Sequence, residues 1–88
     1  MRGESRIAAI LERIRDNPPG QVQAYSDIYP QAPRLVGKIL ATTHETVPWH
    51  RVVRADGSIP KGRHQRDLLV GEGVPMRGDR VDIDRARG

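Results

Sequence analysis

The hydrophobic positions at the start of the chain recur with the spacing of a helix. Between Glu4 and Asp16 the apolar residues lie three and four positions apart, on one helical face: Ile7, Ile10, Leu11 and Ile14. Two prolines and a glycine follow at residues 18–20, and proline cannot continue the helical hydrogen bonds. The pattern therefore predicts a first helix from Glu4 to Asp16.

Two more helical segments follow closely. Ser26 suits the N-cap of a very short helix to Tyr29, which Pro30 ends, and Pro33 suits the first turn of a helix to Thr42. The face of this helix opposite its apolar stripe carries small and basic residues: Arg34, Gly37, Lys38 and Ala41. This order has the outline of a helix-turn-helix, although a helix packed on a neighbour in a bundle would explain the same small residues.

A turn is predicted after the next apolar segment, Val47 to Arg54. Ala55-Asp56-Gly57 is a sequence of the kind that joins hairpin strands. The chain would return along Ser58 and Ile59. Pro60 would keep that strand short or at a sheet edge, because proline lacks the N–H that a strand ladder needs.

The C-terminal part is predicted to hold a helix and a hairpin. The helix runs from Gln65 to Glu72 with Gly73 as its C′ residue. A turn at Gly78 would join short strands between Met76 and Ile83, and residues 85–88 would form a frayed basic tail.

The composition fits one domain over residues 1–88. A chain of this length buries roughly 60–65% of its unfolded surface, which leaves no material for a second core. It has 15 basic and 11 acidic residues, a net charge of +4, and 13 of the basic residues are arginine. Arginine suits phosphates and base edges, so nucleic acid is the first partner to consider, with a solvated charged surface as the alternative.

The sequence also argues against several kinds of site. It has no cysteine, which excludes disulfides, thiolate metal sites and cysteine nucleophiles. It has no signal-like or membrane-spanning apolar stretch. We therefore expect a cytoplasmic monomer, nucleoid-associated if the source is bacterial, with no membrane partner, cofactor or metal.

One segment carries an informative motif. Residues 47–53 read Val-Pro-Trp-His-Arg-Val-Val and contain the only tryptophan of the chain. They resemble Pro-Cys-His-Arg-Val, the active-site signature of the O6-alkylguanine-DNA alkyltransferases, with Trp49 in the place of the reactive cysteine. Pro-Trp-His-Arg-Val is the mark of the alkyltransferase-like proteins, the non-catalytic relatives of these enzymes.

Further segments resemble the family in the expected order, at residues 17–28, 33–37, 56–57 and 68–73. Together the resemblance covers about residues 5 to 75. It implies a mainly α fold: a winged-helix-like, helix-turn-helix DNA-binding domain like the C-terminal domain of the alkyltransferases, with a small β-hairpin.

The resemblance implies roles on DNA for four residues. Tyr25 would contact the target phosphate and help to rotate the nucleotide outward, and Arg34 would fill the vacated place in the base stack. The helix would enter the minor groove, where Gly37 and Ala41 permit close approach. From its charge and its place on this helix alone, Lys38 is expected to contact a phosphate. A cation such as Arg34 near a helix N-terminus is unfavourably placed, which independently suggests an anionic partner.

The resemblance also implies a pocket that receives the flipped base beside Trp49, whose flat face would pack against a base or an alkyl group. Val52, Lys61 and Arg63 are assigned to this pocket, with phosphate contact as the alternative for Lys61 and Arg63. The enzymes' glycine-rich loop after Gly57 is absent, so a wider pocket is expected.

No residue is assigned a catalytic role. His50 and Glu72 stand where the enzymes have a proton relay to the thiol, and without a thiol we expect a hydrogen-bonded pair that holds the pocket together. An indole is a weak nucleophile with a donor-only N–H, so Trp49 cannot accept an alkyl group as a thiolate does. A hydrolase based on His50 or Glu72 would lack a nucleophile, base and orienting group in one set.

The sequence therefore predicts a protein that binds duplex DNA at O6-alkylguanine, flips the lesion and leaves the alkyl group in place. The resemblance implies that nucleotide-excision-repair proteins then act on it. The alternative is a general winged-helix DNA-binding or regulatory protein that has lost lesion recognition. The short first helix of the helix-turn-helix favours that alternative, and Tyr25, Arg34 and Trp49 oppose it.

Overall fold

The computed structural model describes residues 2–87 and is mainly helical, which confirms the predicted fold class. Its helices are α1 (Arg2–Asp16), α2 (Tyr25–Ile28), α3 (Pro33–Thr42), α4 (Gly62–Gly71) and α5 (Ile83–Ala86). A 3-10 helix covers Trp49–Arg51, and the strands in this range are β1 (Gln23–Ala24), β2 (Val52–Val53), β3 (Met76–Arg77) and β4 (Arg80–Val81).

The two longest predicted apolar stripes form helices where the spacing places them. α3 has the predicted bounds, and α1 ends at Asp16 as predicted but begins two residues earlier than Glu4. Their buried side chains meet in one core cluster, which also contains residues of α2, of β2 and of the segment before the 3-10 helix: Ile10, Leu11, Ile14, Ile28, Val36, Ile39, Val47 and Val52. Packing of α2 on α3 in this cluster gives the helix-turn-helix pair.

α2 begins one residue before the predicted position, and Ser26 is not its N-cap. Ala24 takes that position, and its backbone N–H donates to the Asp27 carboxylate at 2.9 Å. An acidic side chain in the first turn can thus satisfy a free amide from inside the helix. The predicted cap was wrong because a later residue supplies the capping group.

The predicted hairpin, in which Ser58 and Ile59 would pair with the segment before the turn, does not form. A tight turn does form, with the Gly57 N–H donating to the Arg54 carbonyl at 2.8 Å. However, β2 pairs in parallel with β1, Gln23 opposite Val52 and Ala24 opposite Val53. This pairing buries both valines, which a solvent-exposed hairpin would not.

The C-terminal helix and hairpin are present. α4 begins at Gly62, three residues before the predicted Gln65, and Gly73 follows its end with φ +78°. β3 and β4 are antiparallel, with Met76 opposite Val81, and Gly78 turns between them at φ +61°. Both glycines have backbone angles that other residues rarely adopt.

The predicted frayed tail is wrong for residues 85–87. Ala86 is buried at the end of α5, and its carbonyl accepts the Val22 N–H at 2.9 Å. The Arg87 guanidinium donates to the Asp27 carboxylate at 2.8 Å. These long-range contacts order a segment whose own sequence carries no such signal. Gly88 lies outside the described residues.

A second core cluster supports the C-terminal half: Val22, Val53, Leu69, Val74, Val81 and Ala86. The two residues of β2 divide between the clusters, Val52 in the first and Val53 in the second. The strand that follows the 3-10 helix therefore joins both halves of the core. No helix over the described residues has the length and apolarity that a membrane crossing needs.

Candidate nucleic-acid interface

A cavity of about 390 Å³ opens between α3 and the N-terminal part of α4. It is lined by side chains from several elements: Tyr25, Gly37, Leu40, Ala41, Trp49, Lys61, His64 and Gln65. The lining combines flat rings, small residues and one lysine, and it has no carboxylate. The rings offer flat surfaces on which a planar group can stack, and the lysine offers a positive charge to an anionic one.

Trp49 reaches this cavity because the chain is wound tightly on both sides of it. The backbone N–H of Trp49 donates to the Val47 carbonyl at 2.8 Å, and the backbone N–H of Arg51 donates to the Pro48 carbonyl at 3.1 Å. The His64 ring lies beside the indole, with 5.8 Å between ring centroids and 39° between planes. The two rings, tilted to each other, form one wall of the cavity. His64 was not among the site residues predicted from the sequence.

The wall of the cavity opposite Trp49 is formed by α3, which carries small side chains there. Val36 and Ile39 point into the core, which turns Gly37 and Ala41 toward the cavity. A Cβ atom at Gly37 would lie 3.8 Å from the Tyr25 ring, so glycine leaves a gap of about one methyl group there. Close approach of another molecule to this helix is thus possible.

A second cavity of about 290 Å³ adjoins the first and shares Tyr25 and Gly37 with it. Its other lining residues are Pro33, Arg34, Arg54 and Pro60. Burial raises the pKa of the Tyr25 phenol, and nearby Arg54 only partly offsets that rise. Tyr25 therefore remains a neutral hydrogen-bond donor in a cavity that two exposed arginines also line.

The Glu72 carboxylate holds the base of the site together. It accepts from His50 Nε2 at 2.8 Å and from Arg51 Nη2 at 2.7 Å. Mainly because of the Arg51 hydrogen bond, the pKa of Glu72 falls to about 2. The predicted His50–Glu72 pair is present, and Arg51 extends it to Asn17, whose carbonyl accepts from Nη1 at 3.1 Å.

Gln65 is a buried polar residue that sequence reasoning missed. Its Nε2 donates to the carbonyls of His50 and Val52, both at 2.9 Å, and its Oε1 accepts the Lys61 N–H at 3.0 Å. It thereby ties the start of α4 to the segment that carries Trp49. The only sequence signal was a polar residue at a position one turn before Leu69, on its buried face.

The structure brings most of the predicted site residues together. Tyr25, Gly37, Ala41, Trp49 and Lys61 line the larger cavity, Arg34 lines the smaller one, and Lys38 is exposed on α3. 

Two predicted pocket residues lie elsewhere. Val52 is 2% exposed and belongs to the core, because β2 turns it away from the cavity. Arg63 is exposed and lines neither cavity. Sequence analysis did not assign a site role to four other residues that line the cavities: Leu40, Arg54, His64 and Gln65.

The described residues hold no candidate metal site. Among them, no three His, Cys, Asp or Glu side chains form a group that could hold a metal ion.

A family model described as the DNA-binding domain of 6-O-methylguanine DNA methyltransferase matches residues 5–74. The chain belongs to this family. A DNA base-flipping protein of Escherichia coli K12 is 39% identical over 82 residues, which cover 80% of this chain. Alkyltransferase-like protein 1 of Schizosaccharomyces pombe is 33% identical over 89 residues, covering 86% of this chain and 82% of the relative. The predicted resemblance to alkyltransferase-like members of the family is confirmed.

The chain spans 64% of the length of the bacterial relatives that it matches. Its fold is that of S. pombe Atl1 in complex with damaged DNA containing O6-carboxymethylguanine, with a TM-score of 0.82 and 24% identity. A second S. pombe ATL structure in complex with DNA gives a TM-score of 0.84. Both alignments cover 100% of this chain and 98% of the other, so the family fold extends through α5.

Proposed function

We propose that this protein recognises O6-alkylguanine in duplex DNA by flipping it into the cavity beside Trp49, and that it leaves the alkyl group in place. The observation that carries the proposal is that Trp49 lines a cavity next to α3. The resemblance of Pro-Trp-His-Arg-Val to the alkyltransferase signature, with tryptophan in the place of the cysteine, supports it. The names of the relatives, a base-flipping protein and an alkyltransferase-like protein, support it.

In this proposal α3 enters the minor groove and its small residues permit the approach. Gly37 and Ala41 border the larger cavity, so a nucleotide rotated out of the duplex passes close to the helix. Arg34 enters the space that the base leaves, while Tyr25 stands between the two cavities and contacts the phosphate. A base must leave the stack before it can be inspected in a pocket.

The site lacks the means for alkyl transfer. An indole offers no thiolate-like nucleophile, and Glu72 is already held by Arg51 and His50. With a pKa of about 2, the Glu72 carboxylate is a poor proton acceptor at neutral pH. We therefore assign His50 and Glu72 to pocket support, and we propose that nucleotide-excision-repair proteins act on the bound lesion.

A second candidate is a general DNA-binding or regulatory protein with the same scaffold. The observation that favours it is the length of α2, which has only four residues. A single turn offers little surface for positioning a helix-turn-helix on a preferred site.

The deciding measurement compares binding to one duplex containing O6-methylguanine and to the same duplex containing guanine, at fixed salt. We expect tighter binding to the lesion, and a fluorescent base analogue at the target position that brightens on binding. Equal affinities without brightening would favour the general DNA-binding protein. The masses of protein and DNA should also stay constant, since transfer would add one methyl group to the protein.

A further inference from the structure

The smaller cavity is lined by one charged residue, Arg54, to which the base-flipping proposal assigns no role. Arg34 from α3 and Arg54 from the end of β2 line the same space of about 290 Å³, with Tyr25 and Gly37 between it and the larger cavity. Both arginines are exposed. Two cations beside one small cavity repel each other, and an anion between them would remove that repulsion.

Neither arginine is neutralised within the protein. Among the side chains of residues 6–87, five other arginines form ion pairs with carboxylates: Arg15, Arg51, Arg77, Arg80 and Arg87. Over the same range Arg34 and Arg54 form none. Arg54 has a side-chain hydrogen bond only to a neutral group there, the Ser58 hydroxyl, at 3.4 Å. Its charge thus remains available to a ligand.

The backbone under Arg54 is held in place. Its N–H donates to the Ser58 carbonyl at 3.1 Å, and its own carbonyl accepts the Gly57 N–H at 2.8 Å. Gly57 in turn accepts the Val81 N–H at 2.8 Å, which ties the turn to the β3–β4 hairpin. A guanidinium on a fixed backbone loses less freedom when it binds.

We propose that Arg54 binds a backbone phosphate of the flipped nucleotide, opposite Arg34 and beside the Tyr25 hydroxyl. This inference rests on the proposed function, because the phosphate is placed by a base in the adjoining cavity. The planar guanidinium pairs with two phosphate oxygens at once. Arg54 is then a specificity residue: it is engaged when the nucleotide rotates outward and is idle on undamaged, stacked DNA.

The test combines a protein variant with a changed phosphate. Duplexes with O6-methylguanine carry either normal phosphates or one uncharged methylphosphonate, placed 5′ or 3′ of the lesion. Wild type should lose roughly tenfold in affinity for one of the two methylphosphonate duplexes. Arg54→Ala should lose roughly tenfold on the lesion duplex with normal phosphates and be clearly less sensitive than wild type to that methylphosphonate, because Tyr25 still contacts the phosphate. Arg54→Lys should keep part of the affinity, since it retains the charge without the fork.

Arg85→Ala is the matched control, because Arg85 is also an exposed arginine and lines neither cavity. It should bind like wild type and be as sensitive to the methylphosphonate. Equal sensitivity of Arg54→Ala and wild type to both methylphosphonates would overturn the role of Arg54 while lesion preference stands. Wild type without any preference for the lesion duplex would overturn the proposed function and this inference together.

Discussion

At the scale of single residues, the carboxylate of Glu72 connects three parts of the chain. It accepts from His50 and Arg51 of the 3-10 helix and from the Gly20 N–H at 3.5 Å, while Glu72 itself is the C-cap that follows α4. The 3-10 helix presents Trp49 to the cavity, so this carboxylate fixes the wall on which a base would stack. In this protein the Glu72 carboxylate is therefore a structural joint of the site.

Acid should weaken the protein through Glu72. Its pKa falls from 4.5 to about 2 on folding, so its contribution is complete above pH 4.5 and is lost as the pH falls toward 2. Glu72→Gln should lower the free energy of unfolding at pH 7 by about 1–3 kcal/mol and flatten this acid-dependent loss. Urea unfolding between pH 2 and 7 measures both effects.

Glu45→Gln is the control for the acid prediction, because Glu45 pairs with Arg15 at the surface and is 54% exposed. Its effect should stay within about 0.5 kcal/mol. An acid dependence that is the same in Glu72→Gln and wild type would assign the acid sensitivity to other groups.

At the scale of elements, α3 contains a glycine in its interior, Gly37, which lowers the stability of the helix and leaves its surface open. Glycine in a helix interior costs up to about 1 kcal/mol relative to alanine. The space above Gly37 belongs to both cavities, and an added Cβ would make only ordinary contact with Tyr25 at 3.8 Å. The fold itself would therefore accept alanine at this position, and the proposed close approach of DNA gives a reason for glycine.

Gly37→Ala should stabilise the protein by up to about 1 kcal/mol and weaken binding to lesion DNA by roughly tenfold. Gly71→Ala is the matched control, because Gly71 is also helical and a Cβ there meets nothing within 4 Å. It should stabilise the protein and leave binding unchanged. Thermal unfolding and fluorescence anisotropy test the pair. Undiminished binding by Gly37→Ala would place the DNA away from this face.

The turn after β2 depends on a second glycine. Gly57 has φ +86°, and a Cβ there would lie 2.2 Å from the Val81 carbonyl oxygen. Gly57→Ala should cost about 3 kcal/mol or more, because backbone atoms would have to move. Gly78→Ala also has positive φ but meets no atom within 4 Å, so it should cost only about 1 kcal/mol. Similar costs by urea unfolding would contradict this account.

At the scale of the whole molecule, the site is supported by the packing of two core clusters. The first lies under α2 and α3, and the second is closed by α5 through buried Ala86. β2 links them, since its adjacent valines enter one cluster each. The segment that presents Trp49 therefore depends on packing from both ends of the chain.

Removal of residues 83–88 should destabilise the whole domain. It would delete buried Ala86, the Val22 hydrogen bond and the Arg87–Asp27 ion pair, at a cost of about 2–4 kcal/mol. Arg85→Ala changes an exposed side chain of the same helix and should stay within about 0.5 kcal/mol. Urea midpoints compare the two, and an unchanged midpoint for the shortened chain would mean that α5 contributes nothing to the fold.

Local patterns were enough to predict much of this protein from its sequence. α3 has the predicted bounds because proline at its start and an apolar stripe along it are both local signals. Gly73 ends α4 as predicted for the same reason. The family membership followed from the Pro-Trp-His-Arg-Val motif and its flanking segments, since a resemblance of ordered motifs is also a property of the sequence.

The contacts between distant segments were decided only by the tertiary structure. A strand of two residues has no periodicity that names its partner, so β2 was not expected to pair with β1 or to turn Val52 into the core. α5 has only four residues, too few for a helical periodicity to be recognised, and its C-terminal end is held by Val22 and Asp27 about 60 positions away. Arg54 and Arg34 line one cavity because of such a contact as well. The valines of β2 are buried in the core, and their burial fixes where Arg54, the next residue, reaches the surface.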